Sequence, residues 1–100
     1  MKLKNDIIEK IENDFLTKKD EVFNLIIEEV NKNSQINHPR IIRCILFLSD
    51  GDFFELKHYL KTAISDPRDV MLYAEYDNTN SLNPNRIRDF NNPFGKEEII

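Results

Sequence analysis

Two arginines, Arg40 and Arg43, stand one helical turn apart. Arg43 is the exception in the apolar run Ile41 to Leu48, IIRCILFL, where the other seven residues are apolar. A desolvated guanidinium needs a carboxylate or several carbonyls beside it, or it is strongly destabilising. Its planar fork also suits bidentate recognition of carboxylates. Two roles follow for Arg43. It ties the central helix to the acidic segment Asp66 to Asp77, DPRDVMLYAEYD, through Asp69 or Glu75, with Arg68 competing for them. Otherwise it anchors an anion or a peptide carboxylate, with Arg40 assisting from the same face. The structural pair is the expectation, because buried charges are normally matched.

Other reactive residues are sparse. His38, His58 and Cys44 are the residues a transition metal would use, but no Cys or His pair has zinc-site spacing. No metal and no cofactor are expected. Cys44 lies in the apolar run and reads as a core residue, not as an activated nucleophile. With Gly51 and Gly95 the only glycines, there is no Gly-rich phosphate loop. Asp66 and Asp69 are accounted for by helix capping, and Glu75 and Asp77, two residues apart, do not share a helix face. No enzymatic activity is expected. A small enzyme or anion-binding protein using Arg43, His58 and the acids of the last helix is the alternative.

The aromatic residues offer a different chemistry. Phe53 and Phe54 are adjacent, so one helix face cannot bury both. Phe54, Tyr76, Phe90 and Phe94 are candidates for a partner surface. The competing reading is that the C-terminal segment folds back and covers Phe54.

The elements that must position these residues are helical. Leu3, Ile7, Ile8, Ile11 and Phe15 recur at helical spacing over a first helix, Lys2 to Asn13. Thr17 is predicted to cap a second, Lys18 to Lys32, instead of marking a bend in one long helix. Asn37 or His38 caps a third, Pro39 to Ser49, with the proline in its first turn. Because IIRCILFL leaves no polar stripe, this helix must be surrounded. Gly51 is placed to end it in a left-handed conformation. Asp52 caps a fourth helix, whose buried face runs through Phe53, Leu56, Tyr59, Leu60, Ala63 and Ile64 and which forms a hairpin with the third. Asp66 and Pro67 open a fifth, Pro67 to Asp77, with Val70, Tyr73, Ala74 and Asp77 on one face. Residues Asn78 to Asn85 read as a loop, Arg86 to Phe90 as a short helical turn, and Phe94 to Ile100 as a tail. No strand is predicted.

Composition bounds the rest. The 100 residues include 40% apolar and 32% charged residues, which suits one helical domain with wetted faces. A net charge of −4 argues against nucleic acid and against an anionic membrane. The N-terminus turns acidic where a leader would be apolar, and no run approaches the ~20 apolar residues of a membrane span. The expectation is an all-α protein of four to five short helices around a central apolar helix, residues 1–77. An irregular segment, 78–100, packs on it or binds a partner. The expected role is a small cytoplasmic protein-binding module of adaptor, inhibitor or immunity type. Its protein partner is unidentified, and a homo-oligomer is a further reading.

Overall fold

A computed structural model describes residues 2–77 and 82–99. The protein is all-α. Five α-helices are present among the described residues: α1 (Asn5–Asp14), α2 (Lys19–Lys32), α3 (Pro39–Ser49), α4 (Phe53–Ser65) and α5 (Pro67–Glu75). Two 3₁₀ turns, Leu16–Lys18 and Ser34–Ile36, link the first three helices.

The apolar α3 is the centre, and α1, α4 and α5 all pack against it. Ile41, Ile42, Cys44, Ile45 and Leu46 are buried, as a helix without a polar stripe requires. The other helices each present one stripe to this core: Ile7 and Ile11 from α1, Val22, Ile26 and Val30 from α2, Leu56, Leu60 and Ala63 from α4. Ser49 is also buried, but its hydroxyl donates to the Ile45 carbonyl one turn back and is not orphaned.

Local chemistry sets several helix ends. The His38 imidazole accepts from the Arg40 N–H at 3.1 Å, one residue before Pro39 opens α3. The Asp52 carboxylate accepts from the Glu55 N–H, and that of Asp66 from the Arg68 N–H, both at 3.0 Å. Between α3 and α4 the chain reverses through two left-handed residues, Asp50 at φ 46° and Gly51 at φ 78°. A β-carbon at Gly51 would also stand 3.0 Å from the Asp14 carbonyl oxygen. Glycine is thus required there both by φ and by the close passage of the end of α1.

Several expectations are corrected. α1 starts at Asn5, not Lys2. Thr17 caps nothing: it lies inside the first 3₁₀ turn, and α2 starts behind Lys18 without a side-chain cap. α5 stops at Glu75, not Asp77, and Tyr73, predicted to share a face with Val70 and Ala74, is half exposed while those two are buried. Strands are also present. Tyr76–Asp77 (β1) pairs antiparallel with Asn85–Arg86 (β2), in the register Tyr76 to Arg86 and Asp77 to Asn85. The helical turn expected at Arg86 to Phe90 is extended instead. Arg88 bridges Glu98, the Asp89 N–H donates to the Glu97 carbonyl, and the Ile99 N–H donates to the Ile87 carbonyl. Of the loop expected at Asn78 to Asn85, residues 78–81 lie outside the described residues.

Candidate functional site

The C-terminal segment is sewn onto the bundle by four ionised groups. Arg43, only 6% exposed, directs Nε and Nη2 at the two carboxylate oxygens of Asp6, at 2.8 and 3.0 Å. Its remaining Nη1 donates to the carbonyls of Phe90, at 3.0 Å, and Asn91, at 3.3 Å. Asp6 Oδ2 also accepts the Phe94 N–H at 3.1 Å. Burial opposes ionisation of Asp6. The hydrogen bonds from Arg43 and from Phe94, with the guanidinium's charge, more than offset it, so the carboxyl lies below its usual range.

Glu75 carries the second knot. Its side chain is fully buried at the end of α5. Arg40 grips both of its oxygens, Nε lying 3.1 Å from Oε2. The Phe90 N–H donates to Oε2 at 2.8 Å, and Arg86 approaches Oε1 at 3.4 Å while bonding Asp89 at 3.0 Å. The backbone carbonyl of Glu75 receives the N–H groups of Ile87 and Arg88. Hydrogen bonding to Glu75 raises the Arg40 pKa further. Held from both sides, Phe90 enters the core with no exposed surface, 5.2 Å from the Phe47 ring centroid and 5.6 Å from that of Phe94.

The expected pairing of Arg43 with Asp69 or Glu75 is therefore corrected. Its carboxylate comes from α1, and Glu75 belongs to Arg40. The two arginines share a helix face but serve different partners. The geometry also removes the vacancy an anion anchor would need, because the Arg43 donors already face Asp6, Phe90 and Asn91. Phe90 and Phe94 are spent on tail packing. The competing reading, that the tail covers Phe54, fails as well: the tail lies over Phe47 and α1, and Phe54 remains 81% exposed. Asp6, Arg86 and Asp89 were not singled out in the sequence. Asp6 resembles an ordinary acid in a helix's first turn, and nothing local marks it as a partner for a residue 37 positions on.

The remaining candidates are scattered. Exposed Arg68 pairs with Asp66, two residues before it, and this bonding lowers the Asp66 pKa. Asp69 is exposed in the first turn of α5. Arg40, Arg68, Asp69 and half-buried Tyr76 do line one open cleft of about 490 Å³. Its two arginines are already neutralised by Glu75 and Asp66. His58 is exposed on α4, edge-on to Tyr59 at 4.9 Å, and it is not joined to Arg43. Burial, with the charge of Glu75, pushes the Cys44 thiol far up, so it is held as an inert core group. No group of three or more His, Cys, Asp or Glu among the described residues is arranged to hold a metal ion. No helix among them is long and apolar enough to cross a membrane.

A different surface lies where the first 3₁₀ turn meets the start of α4. An open cleft of about 380 Å³ is lined by Phe15, Leu16, Lys18, Gly51, Phe53 and Phe54, with Asp14 and Asp52 beside them. Leu16 is 72% exposed. Phe53 is half-buried and held between two ammonium groups, Lys57 at 4.6 Å and Lys18 at 5.1 Å from its ring centroid. Large apolar side chains in water need no account when single, but two lining one concavity do. Leu16 was not among the candidates because its place in a turn gives it no helical periodicity. The comparisons add no relative: no family model matches the chain, and no curated protein or solved structure shows significant similarity to it.

Proposed function

We propose that this chain is a small protein-binding module, of adaptor, inhibitor or immunity type, that receives its partner at the Leu16–Phe54 cleft. One observation carries the proposal: two large apolar side chains stand in solvent on the walls of one open cleft. Burying such groups is the main driving force of association, and aromatic anchors fitted to pockets supply most of its energy. The ionised cluster supports the same reading indirectly. Arg43 and Arg40 are each matched by a carboxylate of the same chain, Asp6 and Glu75, which suits a scaffold better than a reaction centre. A single buried, unoxidised cysteine suits a reducing compartment such as the cytoplasm.

The test is copurification from cells of the native host with a tagged chain. A partner retained by the unaltered protein and by Leu82→Ser, a control on another exposed leucine, should be lost on the double change Leu16→Ser with Phe54→Ser. A partner that survives the double change would place the docking surface elsewhere. A dimer of the protein itself, abolished by the same change, would make the cleft a homo-oligomer contact.

A further inference from the structure

The cluster that fastens residues 85–99 is divided unevenly between the bundle and the segment it holds. Both ion pairs close within the bundle: Arg43 with Asp6 joins α3 to α1, and Arg40 with Glu75 joins α3 to α5. Neither arginine needs the C-terminal segment for its charge balance. Each pair turns its spare hydrogen-bonding capacity outward, and what it meets is main chain. Arg43 Nη1 donates to the Phe90 and Asn91 carbonyls, and Asp6 accepts the Phe94 N–H. The Glu75 carboxylate accepts the Phe90 N–H, and its backbone carbonyl those of Ile87 and Arg88. The segment's side chains add less. Phe90 is the one buried residue among those described after α5, and the rest of the buried apolar core lies between Leu3 and Ala74. Arg86 reaches Glu75 only at 3.4 Å, and Arg88 the Ala74 carbonyl at 3.2 Å.

The segment is also tied to itself. The Ile99 N–H donates to the Ile87 carbonyl and the Asp89 N–H to the Glu97 carbonyl, which brings its two ends together. Arg86 bonds Asp89 at 3.0 Å, and the Phe94 ring stands on the Phe90 ring. Its charges balance, with Arg86, Arg88 and Lys96 against Asp89, Glu97 and Glu98. A unit held by one buried anchor and a row of main-chain bonds belongs to the low end of local stability. Main-chain bonds beside a pocket for one side chain are also how grooves hold extended peptides.

We propose that the surface formed by Asp6, Arg43, Phe47 and Glu75 is a peptide-binding groove whose built-in ligand is residues 85–99. The segment lets go as a unit while the five helices stay folded, and the emptied groove accepts the same segment offered in trans. Release leaves Arg43 with Asp6 and Arg40 with Glu75, and bares Phe47 together with the outward donors and acceptors of both pairs. A tethered segment competes for its own site at an effective concentration on the order of a millimolar, so the groove is closed in the resting chain. It shares no lining residue with the Leu16–Phe54 cleft, and the two sites stand or fall separately.

Native-state hydrogen exchange on the unaltered full chain reads the release. The amides of Ile87, Arg88, Phe90 and Phe94 should share one degree of protection and exchange about tenfold or more faster than those of Ile45 and Leu46 in α3. Phe90→Ala should speed all four together by a further tenfold or so and leave the helical spectrum unchanged. A synthetic peptide of residues 85–99 is then titrated into the isotopically labelled Phe90→Ala chain. It should shift the amides of Asp6, Arg43, Phe47 and Glu75, and the same peptide carrying Phe90→Ala should not. The unaltered chain, its groove already filled, should bind the peptide about tenfold or more weakly than the variant does. Equal protection of the segment and of α3 would show one cooperative unit and overturn the release. Release without peptide binding would overturn the groove and leave only a loose terminus. Loss of the helical spectrum in Phe90→Ala would make the segment part of the core and overturn both.

Discussion

The two ends of the molecule handle their difficult side chains in opposite ways. Around Phe90, Arg43 and Glu75 are buried and Asp6 and Arg40 partly so, and each of the four meets charged or backbone partners. Around Leu16 and Phe54, apolar groups that could have been buried are left in solvent. A buried charge tolerates no vacancy, so the first region has to be complete in the isolated chain. An exposed apolar side chain forgoes stabilisation but remains compatible with folding, so the second region is the one that can wait for something else. The residues with the most chemical character are therefore the scaffold, and the plain ones are the candidate interface.

Changes at each region sharpen this contrast or break it. The largest effect is expected from Arg43→Met, which strands the Asp6 carboxylate and two carbonyls. Urea unfolding should show a loss of about 3–5 kcal/mol. In a double-mutant cycle, Arg43→Met should couple strongly to Asp6→Asn and negligibly to Asp69→Asn. Zero coupling to Asp6 would mean that the pair is not a latch.

A smaller loss, about 1–2 kcal/mol, is expected of Gly51→Ala, because an L-residue is strained in the left-handed conformation. The close approach of the Asp14 carbonyl adds to it. An unchanged urea midpoint would show that the turn relaxes freely and that the cleft it borders has no fixed shape.

Acid should act selectively on the latch. The Asp6 pKa is lower in the folded protein than its ordinary 3.8, so between the two values the unfolded chain binds more protons. Stability from this group is full above pH 3.8 and lost as the pH falls through the lower folded value. Asp6→Asn should flatten the stability–pH curve in that acid range. An identical slope in the variant would assign the acid dependence to other carboxylates, such as Asp89, whose pKa is also lowered, mainly by the Asn91 N–H.

The smallest effect is expected where function is proposed. Phe54→Ser should change stability by no more than about 0.5 kcal/mol, as exposed substitutions do. A loss of several kcal/mol there would mean that Phe54 supports the fold, and the contrast between the two ends would dissolve.

How far the sequence was readable follows the range of the forces involved. The caps at His38, Asp52 and Asp66 act over two or three residues, and their neighbours name them. The burial of α3 was legible because no orientation of IIRCILFL hides it from water without surrounding it. The positive φ at Gly51 was legible from the end of that helix. That Arg43 needs a partner also followed from the sequence, since its surroundings were evident. Which partner it takes did not follow. Asp6 and Asp69 are both acids in first turns, and only the packing of α1 against α3 brings one of them within 2.8 Å.

The same limit applies to Glu75 and to the tail. Local pattern puts Tyr73 on one face of α5 with Val70 and Ala74, but Tyr73 is half exposed, and Glu75, held by Arg40 and the Phe90 N–H, is fully buried. The extended run from Arg86 has a weak propensity of its own and is held by the Glu75 carbonyl and by Glu97. Helix identity, most of the caps and the central helix were thus determined by the sequence, through periodicity and contacts between near neighbours. The choice of ion-pair partners, the course of the C-terminal segment and the exposure of Leu16 beside Phe54 were decided by tertiary structure. Each depends on groups far apart in the chain that meet only when the helices pack, where desolvation penalises every charge left unmatched.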